Sequence, residues 1–472
     1  MQHVSTSLIV CLCVAAISGG CAAPRGSGPG LSLERHEAGL QAFEQVWTTI
    51  RDRHWDPTYN GVDWQAVRDE LRPRAEAARS EAEVQAILQD MVSRLGQTHF
   101  AILPRTVYTR MTDVDDRGRP DGATGGAAGA ALDAEGDDET GADGVTGLRV
   151  RARGAGAIVV RVDPGSPAAG LGVRPGWSVL RVGGTDVDEL ARDLARSYGE
   201  STLLPATIAL TVEGLLSGPA GTDVDVVLED GAGAKRPLSL PRHAPSGRPA
   251  SIGHLPTMYI DFEARTLDDS VGYIRFDAFL DPPWIMASFA DAVRRFTDAP
   301  GIVLDLRGNP GGIGAMAMGI GGWFVDRPNQ HLGTMRTRDT ELNFVLNPRA
   351  GAYGGPLAVL VDSCSMSTSE ILAGGLQDLG RARVFGTRTA GAALPSIIER
   401  LATGDGFQYA FAHYTSVGGQ ELEGHGVVPD VLVEPDPGSL LEGRDPTLEA
   451  AVAWIREEQR RPDAAGHRQE ES

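Results

Sequence analysis

Ser367 stands where an apolar run, Val359-Leu360-Val361, passes through the serine-rich turn Asp362-Ser363-Cys364-Ser365-Met366 into a helical pattern. Ser367-x-x-Glu370 reads as a capping box, which sets Ser367 at or near the helix N-terminus. Leu372, Leu376 and Leu379 then share one apolar face. A hydroxyl at such a place is a candidate nucleophile, because the helix dipole and free N–H groups can stabilise a tetrahedral oxyanion. An ordinary N-cap serine has the same local signature. A second apolar run, Ile302 to Leu306, ends in Arg307-Gly308-Asn309-Pro310-Gly311-Gly312. Glycines let the backbone aim several N–H groups at one point, and such a nest can hold an oxyanion. It can equally be a tight turn.

These two turns belong to a chain of 472 residues, long enough for two to four domains. The composition is globular, 42% hydrophobic and 22% charged, with 43 basic against 63 acidic residues. That balance, without a basic run, excludes a nucleic-acid partner and a basic membrane-binding face. Lys235 is the only lysine. It lies by the turn Gly231-Ala232-Gly233-Ala234 and reads as a solvated hairpin residue. Cys11, Cys13, Cys21 and Cys364 imply no disulfide framework, and Cys364 reads as a small packed residue. No His, Cys or carboxylate cluster has metal-ligand spacing.

The apolar run Leu8 to Ile17, then Ser18-Gly19-Gly20-Cys21, reads as an export signal over residues 1–21. Small residues before Cys21 resemble a lipoprotein cleavage site. The expected location is therefore exported: periplasm, outer-membrane lipoprotein or secreted. The only expected membrane contact is a lipid anchor.

Residues 33–105 read as a helical domain. Leu40, Phe43, Val46, Trp47 and Ile50 recur at helical spacing, Asp56-Pro57 stops that helix, Asp63 caps a second, and Ser80-x-x-Glu83 opens a third that Gly96 ends. Residues 106–143, rich in Gly, Ala and Asp, read as a flexible linker. From 144 to 242 the pattern turns to short strands: 147–150, 157–162, 179–182, 206–212, 223–228 and 237–240. Residues 243–460 alternate strands (258–262, 271–276, 302–306, 357–361, 383–385) with helices such as 284–296 and 371–379, which argues for layered α/β packing. Residues 461–472 read as a disordered tail.

Gly165-Ser166-Pro167-Ala168, Gly170-Leu171 and Pro175-Gly176 resemble the signature of bacterial protease PDZ modules, with Trp177 where Asp is usual. The pair Asp305 to Gly312 and Ser365 to Ala392 resembles the catalytic domain of tail-specific, or C-terminal processing, serine peptidases. The resemblance implies that Ser367 is the nucleophile and that Asp378 matches the family's Asp after Gln. Many members carry a lysine base in a T-x-G-K-G stretch. Here that stretch is Thr389-Ala390-Gly391-Ala392-Ala393, so Ala392 holds the lysine's place. A Ser–Lys dyad within one chain would require the PDZ module to fold over the site, which is not expected.

The tricorn-core branch of the family uses serine, histidine and glutamate. That likeness assigns His99, after Thr98, as base, and Glu423, before Gly426-Val427-Val428-Pro429-Asp430, as its support. A histidine near its ordinary pKa of ~6.5 can take a serine proton, and a carboxylate or hydroxyl can hold its tautomer. His425 is the rival near Glu423. The N–H groups of Thr368 and of Gly311 or Gly312 would form the oxyanion hole.

The fold class expected is multidomain α/β: a helical N-terminal domain, a PDZ-like β-barrel, and a layered β–α core of crotonase/ClpP-like kind. The function expected is a serine endopeptidase acting on extended proteins or peptides, with C-termini bound through the PDZ-like module by strand addition. No cofactor is implied. A catalytically decayed binding protein for peptides or lipophilic ligands is the alternative, and a hydrolase of small esters a further one.

Overall fold

The computed structural model describes residues 10–12, 31–105, 143–250 and 257–460. Most of the expected leader, with Cys21, the linker at 106–142 and the tail at 461–472 lie outside the described residues. Within the leader, Val10–Leu12 form a strand antiparallel to Gly311–Ile313.

The N-terminal helices are Leu33–Arg53, Trp64–Ala77 and Glu81–Ser93. Ser32, Asp63 and Ser80 each accept an N–H of the first turn, satisfying donors that the helix itself cannot. At the third helix the carboxylate of Glu83 takes the N–H of Arg79, one residue before the cap. Phe43, Val46, Ile50, Leu71, Leu88 and Met91 are fully buried. The indoles of Trp47 and Trp64 each donate to the other's carbonyl at 3.0 Å, so both polar handles are satisfied inside the bundle. This unit does not stand apart from the rest. Its core continues into Leu394, Phe407 and Tyr409, and Ala101–Leu103 pairs antiparallel with Gly406–Ala410.

The second unit is an antiparallel six-stranded sheet; its main path runs Lys235–Pro241, Asp223–Glu229, Ser178–Val182, Gly156–Val162, Leu148–Arg153. Two helices, Val187–Tyr198 and Leu204–Leu216, accompany it. The expected strand at 206–212 is therefore helical. The cause is burial on two sides. Val212 and Leu216 enter the core of this unit, while Ala206 and Ala209 pack on Cys364, Met366, Ala390 and Ala392. A segment buried on two faces loses the polar stripe that marks an amphipathic helix, and a short apolar run then reads as a strand.

The main sheet has six strands in the order Phe262–Thr266, Gly272–Phe276, Ile302–Asp305, Leu357–Val361, Arg383–Gly386, Val431–Leu432. All pairs are parallel except the first. The expected strand 258–262 is split, because Met258–Ile260 leaves to pair with Arg248–Ala250. Alternate side chains serve two cores. Ile274, Leu304 and Val359 face helices Pro282–Arg295 and Thr368–Asp378, while Tyr273, Val303 and Leu360 face Ala451 and Ile455 of helix Pro446–Arg460. Burial on both faces explains why these strands are continuous apolar runs. The two candidate turns leave the C-terminal ends of adjacent strands, Ile302–Asp305 and Leu357–Val361, where open parallel sheets bind their ligands.

An ion network anchors this edge. Asp305 is fully buried and accepts from the Tyr273 hydroxyl at 2.8 Å and from Nε and Nη2 of Arg307. Arg307 in turn forks onto Asp445, just before the last helix. Burial pushes the Asp305 carboxyl up, but Arg307 outweighs it and holds the group well below the usual carboxylate range. A depressed carboxylate stabilises the fold above its unfolded pKa of about 4, and that contribution is lost as pH falls below it. Asp305→Asn leaves Arg307 short of a buried partner. It is expected to cost about 3–5 kcal/mol at neutral pH and to flatten the acid side of the stability curve, both read by urea unfolding across pH.

Candidate active site

Ser367 lies at the start of helix Thr368–Asp378 with φ 57° and ψ −116°. Positive φ in a non-glycine residue is strained by roughly 1–3 kcal/mol and persists only where surrounding contacts fix it. Here they are dense. The N–H of Ser367 donates to Glu370 Oε2 at 2.8 Å, and its carbonyl accepts from Ile371. His99 is the other strained member, with φ 62°.

The two turns are laced together. Asn309 O accepts from Met366 N and from Ser369 Oγ; Thr368 Oγ1 donates to Gly312 O at 3.0 Å; Ser365 Oγ donates to Leu306 O at 2.8 Å. Asp362 accepts from Gly308 N and Cys364 N, one from each turn, both at 2.9 Å. Gly311, at φ 95°, passes so close that an added Cβ would stand 2.8 Å from the Cβ of Ser367, so only glycine fits. The N–H of Gly311 is given to Asn309 Oδ1 at 2.9 Å. Gly312, opposite Cys11 in the strand pair, and Thr368, the first residue of its helix, are the other two expected donors.

Thr98, His99 and Glu423 meet. Thr98 Oγ1 lies 2.7 Å from His99 Nδ1 and donates to Glu423 Oε2 at 2.9 Å, while Thr98 N donates to Glu423 Oε1. An ionised carboxylate can only accept, so the threonine hydroxyl must donate to it and accept from Nδ1–H. That assigns the lone pair to Nε2 and makes His99 able to take a proton there. Burial pushes the His99 imidazole down to about 3, rather than leaving it near its ordinary value, so it is neutral at physiological pH. Desolvation pushes Glu423 up to about 7, with its hydrogen bonds to Thr98 and Ala393 acting against the rise.

The segment Thr389 to Ala393 joins the two halves. Ala392 N donates to Glu370 Oε2 at 3.0 Å and Ala393 N to Glu423 Oε2 at 3.1 Å. Consecutive N–H groups thus serve the carboxylate of the Ser367 turn and the carboxylate behind the histidine.

The other sequence candidates fall elsewhere. Asp378 accepts from Gly418 N and Gln420 Nε2 and shapes that turn. His425 is exposed, with Nδ1 2.9 Å from its neighbour Glu423 O. Cys364 is buried, and burial pushes its thiol up to about 12, which suits packing rather than attack. Lys235 is exposed at the start of Lys235–Pro241. The second unit does fold against the site, contrary to expectation, but through helix Leu204–Leu216 and through Arg151, whose Nε reaches Asp362 at 2.6 Å. Three residues that build this arrangement were not singled out from sequence: Glu370 beyond its capping role, Asp362 and Arg151. Glu370 alone left a signal, its place three residues after Ser367.

Residues 270–433 match peptidase family S41, and residues 36–93 match the tricorn protease C1 domain. A carboxyl-terminal-processing protease of Synechocystis is 26% identical over 85% of this chain and 82% of its own length. The putative tricorn protease homolog 2 of Streptomyces coelicolor is 25% identical over 87% of this chain, which spans 32% of that longer protein. Among solved structures, the photosystem II D1 C-terminal processing protease shares the fold, with a TM-score of 0.56 and 23% identity over 90% of this chain and 98% of that one. The matched domains place a family S41 peptidase domain at the centre of this chain, and its listed relatives include carboxyl-terminal-processing proteases.

Proposed function

We propose that the chain cleaves peptide bonds through an acyl-enzyme on Ser367, with His99 as general base, Thr98 and Glu423 holding it, and the N–H groups of Thr368 and Gly312 receiving the oxyanion. The observation that carries this reading is the chain of hydrogen bonds Glu423–Thr98–His99, tied to the Ser367 turn through Ala392 and Ala393. Ser367 Oγ attacks the carbonyl carbon while its proton passes to His99 Nε2. The imidazolium then protonates the leaving amine as the C–N bond breaks, and water repeats the sequence to release the acid. A base this hard to charge works because the transient imidazolium is met by the Thr98 hydroxyl and the Glu423 carboxylate, and the oxyanion by fixed dipoles.

The finer assignments belong to the same reading. Residues 144–242, with their antiparallel strands and two helices, form a PDZ-like module that takes extended C-termini by strand addition. The core at 243–460 is layered in the crotonase/ClpP-like manner. The chain is exported through its N-terminal apolar run, with Cys21 as a lipid-anchor site. Relatives named for carboxyl-terminal processing favour peptide substrates over the decayed binding protein and over small esters.

A serine-directed fluorophosphonate is expected to label the wild-type chain and not Ser367→Ala, and His99→Ala is expected to slow labelling at least ~100-fold; a folded wild type that takes no label would sink the assignment. Thr98→Val breaks the link between His99 and Glu423 and should lower kcat by ~100-fold or more, while Thr98→Ser should stay within a few fold. Because Glu423 must be ionised to accept from Thr98, activity should fall as pH drops through about 7, far above the value to which burial pushes His99. A pH–rate profile on a peptide substrate checks this. An acid limb unchanged in Glu423→Gln would remove the carboxylate from the mechanism.

A further inference from the structure

Glu370 is fully buried and takes four donors on its two oxygens: Ser367 N at 2.8 Å, Ala392 N at 3.0 Å, Thr389 Oγ1 at 2.6 Å and Gly391 N at 2.7 Å. Three of the four partners are N–H groups that can only donate, so a carboxylate satisfies all four at once, whereas a carboxylic acid or an amide would force the Thr389 hydroxyl to turn round and accept. A buried anion is costly, and here hydrogen bonds and the first turn of helix Thr368–Asp378 meet that cost. The donors come from two places that local chain geometry cannot join. One is the strained backbone of the nucleophile. The other is the segment that continues into Ala393 and is fixed to the Glu423 loop, through Thr389 with Val427 and Gly391 with Gly424.

We propose that Glu370 is a positioning residue for acylation: its carboxylate anion locks the Ser367 backbone to the 389–392 segment, and thereby holds the nucleophile in register with the base held by Thr98 and Glu423. This rests on the reading of Ser367 and His99 given above. Glu370 does not touch substrate. It acts by fixing where the hydroxyl stands relative to Nε2, a placement whose error of about 1 Å can cost ~100-fold in rate.

The anion also has a titration that geometry makes relevant. Desolvation pushes Glu370 up to about 7, with its hydrogen bonds opposing the rise, and its charge acts on Glu423, which stands at a similar value. The titratable groups of this cluster are Glu370 on the nucleophile helix, Glu423 on its loop, and His99, which burial keeps neutral. Both carboxylates are needed ionised, so activity should vanish as pH falls through about 7 with a limb of two protons.

The test uses the full chain carrying Glu370→Gln, with thermal unfolding, kcat and KM on a peptide, and the rate of fluorophosphonate labelling across pH. The expected result is a folded variant with kcat and labelling rate down ~100-fold, KM within ~2-fold, and an acid limb reduced to one proton. Kcat within ~3-fold of wild type, a loss that only tracks the unfolded fraction, or a two-proton limb retained would overturn the proposal. Should Glu370→Gln fail to fold, Thr389→Val decides instead. It removes one of the four donors and should lower kcat by about tenfold with KM kept and Thr389→Ser restoring it; wild-type kcat in Thr389→Val would overturn the proposal. Wild-type labelling is read separately, since its absence strikes the Ser367 assignment itself.

Discussion

The N–H groups of Ala392 and Ala393, neighbours in the chain, point to two different carboxylates. Glu370 lies on the Ser367 side and Glu423 on the His99 side. Much of the site's geometry depends on this shared stretch of backbone. Thr98 and His99 leave a helical unit near the N-terminus, Ser367 opens a helix of the central sheet, and Glu423 sits on a late loop. Coil segments alone could not hold these to hydrogen-bond precision. A pair of desolvated acceptors can, because leaving any of the donors unpaired would cost more than the strain of keeping them in place.

Strain is placed where it is useful. Ser367 and His99 both have positive φ, and each is flanked by rigid structure: a parallel-sheet edge for the serine, and the junction of a helical bundle with a strand for the histidine. The hydrophobic cores give the leverage. Packing of the helical unit against Phe407 and Tyr409, and of helix Pro446–Arg460 against Val303 and Leu360, fixes both supports before any polar contact is counted. The Asp305–Arg307–Asp445 network then ties the start of the glycine turn to the residues just before the last helix.

The second unit is part of this arrangement and not a loosely tethered companion. Arg151 reaches Asp362, whose carboxylate holds one N–H from each of the two candidate turns. Ala206 and Ala209 lay a small apolar surface on Met366 and Ala392. Ser367 is itself fully buried, so on the proposed reading an extended chain reaches it only if its surroundings give. On the proposed reading, in which this module binds peptide, its contact with the two turns places recognition and chemistry in one mechanical unit.

Short-range features were legible in the sequence. Strand, turn and helix around Ser367, the glycine turn after Asp305, and the caps at Asp63 and Ser80 depend on residues a few positions apart, so the residue types alone determined them. The lack of lysine near the serine, read with Thr98-His99 and Glu423 in their motifs, already pointed away from a lysine base. The helix at 206–212 was misread because burial on two sides erased its period. Glu370 showed only as a cap, and Gly311 could not be told from Gly312. What the sequence by itself determined was which groups could act. Only the tertiary structure decided which of them meet, because the deciding hydrogen bonds link residues as far apart as Thr98 and Glu423, 325 positions in the chain. At that separation neither periodicity nor propensity carries information, and packing alone sets the distance.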